Sequence, residues 1–112
     1  MKIKEKPVNN VMVLELSGKI MGGPDATLLN DKLHEFIEQG KSNIVADLGK
    51  VNWMNSSGLG ILIGALTTMR NNGGDLKLVN IPDRIQSLLM ITKLLTVFES
   101  FDTIEQAIDS FS

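Results

Sequence analysis

The chain contains no cysteine, a single histidine and a single tryptophan in 112 residues. Without cysteine there is no disulfide framework and no thiol chemistry. One histidine is too little material for a histidine-based metal site or catalytic triad. An excess of basic charge is also missing. The formal net charge is −2, whereas non-specific nucleic-acid binding needs a positive field. No stretch approaches the ~20 continuous apolar residues of a membrane span. The opening Met1-Lys2-Ile3-Lys4-Glu5-Lys6 lacks the apolar centre of a secretory leader, so the chain reads as mature and cytoplasmic. A glycine-rich phosphate loop with a following lysine is absent too, because Gly58-Leu59-Gly60 runs into apolar residues. No cofactor is expected.

Hydrophobic residues make up 43% of the chain, enough for one core in one domain spanning 1–112. Lys2 to Lys6 reads as an edge strand protected by alternating lysines. Pro7 to Asn10 supplies a turn, and Val11 to Leu16 a more buried strand, so the two form a hairpin. Gly18 to Pro24 reads as a loop. Asp25 then caps a helix running to about Glu38, with Ala26, Leu29, Leu33, Phe36 and Ile37 as its apolar stripe. Gly40 ends it. Asn43 to Leu48 reads as a central parallel strand buried on both faces, followed by a connector over 49–54. Ser57 to Asn71 reads as a second helix with Leu59, Leu62, Ile63, Leu66 and Met69 on one face. Leu76 to Val79 is the next strand, which completes a right-handed βαβ unit. Pro82 starts a third helix that buries Ile85, Leu88, Leu89 and Leu94. Val97 to Phe98 reads as a short strand. Thr103-Ile104-Glu105-Gln106 is a capping box for a last helix burying Ala107, Ile108 and Phe111. The pattern is that of an α/β fold.

The most informative stretch is Asn55-Ser56-Ser57-Gly58-Leu59-Gly60. Two hydroxyls and two glycines stand where the chain enters a helix. The first helical amides lack intrahelical partners and the dipole is positive there, so an anion is well accommodated. Glycine in a first helical turn costs roughly 1 kcal/mol relative to alanine. Two of them imply that something approaches the backbone closely. For an arbitrary Ser-Ser at this place, one hydroxyl is simply the helix cap.

The order of elements and this motif resemble the STAS domain family, most closely its bacterial anti-sigma factor antagonists. The resemblance is carried by Leu16-Ser17-Gly18, Val45-Ala46-Asp47-Leu48, Met54 to Gly60, Gly73-Gly74-Asp75-Leu76-Lys77-Leu78-Val79 and Phe98, and it covers nearly the whole chain. It implies a single STAS-like domain with a small mixed sheet of four or five strands and helices packed mainly on one face. It also implies a protein–protein interaction module rather than an enzyme. The unphosphorylated form would bind an anti-sigma factor of the serine-kinase type and so release a sigma factor. That kinase would phosphorylate Ser56 and switch the antagonist off. A serine phosphatase of the metal-dependent class would reverse the modification. ATP and magnesium would belong to the kinase. The partner-binding residues implied are Met21, Gly22, Asn55, Ser56, Ser57, Gly58, Leu59 and Gly60. Two departures stand out: Asn55 replaces the family's usual aspartate, and Lys19 and Met21 replace an acidic pair.

Other residues carry weaker signals. Asp47 lies where open α/β sheets bind ligands, yet no catalytic partner accompanies it. His34 falls on the polar side of the first helix. Trp53 and Met54 read as packing residues or partner contacts, and Met90 to Val97 as core or an exposed apolar patch. Two other functions compete: a non-phosphorylated STAS subunit docking to a transporter or signalling scaffold, favoured by neutral Asn55, and a weak nucleotide-binding domain.

Overall fold

The computed structural model describes residues 1–111. Strands β1 (Lys2–Val8) and β2 (Val11–Ile20) form an antiparallel hairpin. The turn between them is only Asn9-Asn10, with Asn9 at φ 55, which asparagine tolerates. β1 therefore runs two residues further than its lysine pattern shows. Pro7 remains within it, and an edge position permits this because no second neighbour needs its missing N–H. After α1 (Pro24–Glu38) come β3 (Asn43–Met54), α2 (Ser56–Asn71), β4 (Asp75–Val79), α3 (Asp83–Ile91), β5 (Ser100–Phe101) and α4 (Ile104–Asp109). The five strands lie in sequence order, with every pair after β1–β2 parallel.

Two cores flank the sheet. Alternate residues Met12, Leu14, Leu16, Ile44, Ala46, Leu76 and Leu78 meet Leu29, Leu33 and Phe36 of α1, Leu59, Leu62, Leu66 and Met69 of α2, and Ile85 and Leu89 of α3. On the opposite face Val11, Val13, Val45 and Val79 are covered by α4 through Ala107, Ile104 and Ile108. Three helices on one face and one short helix on the other give the expected layering. Helix α2, apolar on most sides, is the central one. Its Leu62 and Met69 are fully buried.

Several expectations change. The strand β3 does not stop at Leu48 but continues through 49–54. Its register with β2 slips twice, between Glu15 and Ser17 and between Gly18 and Lys19. Each slip is a bulge that admits one extra residue. The core-facing residues after Leu48 are consequently Val51 and Met54, three apart instead of two. That spacing hides a strand from any search for alternation. The first loop shrinks to 21–23 because β2 reaches Ile20. Asp25 does not cap α1; Gly23 occupies the cap, Pro24 begins the helix, and Ala26 is exposed. Val97 and Phe98 lie in a turn, and the short strand is Ser100–Phe101. Thr103 does cap α4, accepting the Gln106 N–H at 3.2 Å. The Gln106 side chain reaches one residue further back, to the N–H of Asp102.

Candidate functional site

β4 ends level with Asp47, whereas β2 and β3 run on to Ile20 and Met54. The pair thus projects past the sheet as a two-stranded ribbon. Its end carries the loop 21–23 on one strand and the start of α2 on the other. The second bulge lies within this ribbon and the first at its base, where β2 still pairs with β1 as far as Ser17; both increase the twist.

Asn55 joins the two. It is the N-cap of α2, and its Oδ1 accepts the Gly58 N–H at 2.8 Å. Its carbonyl accepts the Leu59 N–H at 2.9 Å, while its Nδ2 donates to the Met21 carbonyl at 3.4 Å. Met21 N–H donates to Asp25, which also receives the amino terminus at 3.4 Å. Gly22, at φ 101, lies directly against Ser57; a Cβ there would come within 2.9 Å of the Ser57 Cβ. Asn55, not Ser56 or Ser57, therefore caps the helix. Asparagine is as good a cap as serine, so the serine pair draws attention away from the residue that performs the role.

Ser56 and Ser57 become the first two helical residues, both exposed. The Ser56 hydroxyl has no hydrogen-bond partner among the described residues. No acidic residue occupies the first turn of α2, so no side chain of that turn offsets the positive end of the helix dipole. The two glycines have different causes. Gly58 is buried, and a Cβ there would overlap the Ile20 carbonyl oxygen. What approaches its backbone is the protein's own β2. Gly60 is exposed with open space around it. Leu59 is buried in the main core, so it and Gly58 support this face from beneath. Ser57, Gly60, Gly22 and Gly23 border a cleft of about 640 Å³ between α1 and α2.

On the other side of the loop, Trp53 is 41% exposed and Met21 45%. The bulged register places Lys19 beside Trp53, and the Arg84 guanidinium lies 5.4 Å from the centre of the indole ring. The sequence offers no signal for this contact, which joins β3 to the first turn of α3. Asp47 accepts bonds from Gly49 N–H at 2.9 Å and Asn80 Nδ2 at 3.2 Å. The Asn80 bond ties β3 to the end of β4, and the two together satisfy the buried carboxylate. His34 is exposed on α1. Among the described residues no three His, Cys, Asp or Glu side chains gather to hold a metal ion, and no helix is long and apolar enough to cross a membrane.

Residues 2–107 match the STAS domain family. The chain belongs to that family. A relative, the anti-sigma-B factor antagonist of Bacillus subtilis, is 35% identical over 74 residues, 66% of this chain and 67% of that protein. Among solved STAS structures, a Thermotoga maritima protein assigned as an anti-sigma factor antagonist superposes with TM-score 0.85 at 25% identity, covering 96% of this chain and 92% of that one. The Bacillus cell fate determinant SpoIIAA in its phosphorylated form superposes with TM-score 0.74 at 21% identity, covering 99% of this chain and 100% of that one. At that identity the likeness speaks for the fold alone. The single mixed sheet and its helices are those of the STAS fold.

Proposed function

We propose that this STAS protein is an anti-sigma factor antagonist switched by phosphorylation of Ser56. Its unphosphorylated form binds a serine-kinase anti-sigma factor and releases a sigma factor; the kinase then modifies Ser56, and a metal-dependent serine phosphatase restores it. The observation that carries this reading is the state of Ser56: an exposed hydroxyl in the first turn of α2, relieved of any capping duty by Asn55. The names of the relatives support the general role.

The physics of the switch follows from that placement. Phosphate brings ~1.5 to 2 negative charges at neutral pH. The helix end tolerates them, because its free amides and dipole favour an anion. Since the Ser56 hydroxyl has no partner among the described residues that modification would displace, the fold should stay intact. A partner packed over Met21, Gly22, Asn55, Ser56, Ser57 and Gly60 would have to desolvate the new charge, and docking would fail.

The test uses the cognate kinase with ATP. One phosphate should be added, and fragment spectra should locate it on Ser56. Ser56→Ala should keep anti-sigma binding and Ser56→Asp should lose it, with closely similar melting temperatures. Phosphate on Ser57, or equal affinities of the two variants, would overturn the assignment. Docking to a transporter or scaffold without phosphorylation would then be the better reading.

A further inference from the structure

We infer that Lys19, Trp53 and Arg84 form a docking patch for an acidic segment of the protein partner. The inference rests on the ribbon end being the partner-binding face, as proposed above. Three observations carry it. First, the chain has net charge −2, yet Lys19 and Arg84 line one hollow and neither forms an ion pair among the described residues. Asp25, across the loop, is already engaged by the amino terminus and Met21 N–H. Second, the cations flank a half-exposed indole. Arg84 lies over the Trp53 ring and Lys19 pairs beside Trp53 across the ribbon. Third, these residues, with Met21 and Asn52, line a hollow of about 360 Å³ on the surface.

The cation–π contact orients the guanidinium toward the ring without an ion pair that an incoming carboxylate would have to displace, so less side-chain freedom is lost when one arrives. Aromatic and arginine side chains of this kind anchor protein interfaces. Carboxylates satisfy both cations, and apolar atoms beside them can rest on Trp53 and Met21. The patch also deepens the switch. Trp53 lies a few residues before Ser56, so negative charge added at Ser56 opposes the same acidic segment that Lys19 and Arg84 attract.

The probe is a capped octaglutamate peptide, with octalysine as control, titrated into the full chain at low ionic strength. Trp53, the chain's single tryptophan, reports by its fluorescence. Octaglutamate should give a saturable change that weakens as salt rises; octalysine should give none. Lys19→Glu with Arg84→Glu should weaken binding by about tenfold or more, and Lys19→Gln with Arg84→Gln by less. Lys41→Glu, at the opposite end of the sheet, should leave it unchanged, and Ser56→Asp should weaken it. An equal response to octalysine, binding that survives the double charge reversal, or indifference to Ser56→Asp would overturn the proposal. The two readings fail separately. Peptide binding in a chain that the kinase does not modify spares the patch, whereas a modified Ser56 with no charge-dependent binding removes the patch alone.

Discussion

The α-carbon of Gly58 faces the carbonyl of Ile20 so closely that a methyl group there would overlap the oxygen. Helix α2 can therefore enter against the end of β2 only with glycine at this position. Gly58→Ala must push the helix and the ribbon apart, at about 1–3 kcal/mol or more. Gly60→Ala meets open space and should gain up to about 1 kcal/mol from helix propensity. Urea unfolding of both variants checks the contrast. A Gly58→Ala protein as stable as its parent would refute the close approach.

Asn55 is the cap, so stability should respond at 55 and not at 56. Asn55→Ala loses the acceptor for Gly58 N–H and should cost about 0.5–2 kcal/mol. Asn55→Asp keeps that acceptor and adds an anion at the helix end, worth about 0.3–1 kcal/mol, but loses the Nδ2 bond to the Met21 carbonyl, so it should stay within about 1 kcal/mol of the parent. Ser56→Ala should stay within about 0.5 kcal/mol of the parent. Thermal unfolding of the three variants tests this order, and a large loss from Ser56→Ala would contradict it.

Lys77 is buried beneath α4. Its Nζ donates to Ser110 Oγ at 2.7 Å, pairs with Glu99 at 3.1 Å and lies 4.2 Å from the centre of the Phe111 ring. Its stem fills the sheet face under the helix. Lys77→Ala removes stem and bonds together and should cost about 1–3 kcal/mol. Lys77→Met keeps the stem, and Glu99 is exposed enough to be solvated without its partner, so the loss should be smaller. Hydrogen exchange should speed up in α4 first for both variants. Uniform acceleration across the domain would count against a local role.

The Lys50 ammonium, hydrogen-bonded to Glu15 at 3.0 Å, holds the Glu15 carboxyl below its ordinary value of 4.5; burial opposes this, while the charges of Lys50, Lys4 and Lys6 add to it. A carboxyl depressed in the folded state stabilises the fold above its unfolded value and ceases to do so as pH falls through its folded value. The stability difference between the parent and Lys50→Met should accordingly be full near neutrality and vanish in acid below pH 4.5. A carbon-detected titration of Glu15 should show its midpoint rising in Lys50→Met. No change in the midpoint would dismiss the pair as the cause.

The sequence by itself determined the class of fold, the order of its elements and the place of the candidate site. Leu29, Leu33 and Phe36 repeat at helical spacing, and Ile44, Val45 and Ala46 form an apolar run that Leu48 resumes after Asp47. Both patterns are local consequences of burial and survive in a linear string. The serine–glycine motif was legible for the same reason, since helix starts have short-range chemistry. The tertiary structure decided everything that depends on two distant segments meeting. The bulges that carry β3 to Met54 exist because β2 pairs there, and they replace alternation with a spacing of three. Asn55, and not a serine, is the cap, and it also reaches Met21 across the ribbon. Gly58 is explained by Ile20, and Trp53 acquires Arg84 from another element. Such close approaches leave no period in a sequence, because each is fixed by packing between strands and helices and not by neighbours along the chain.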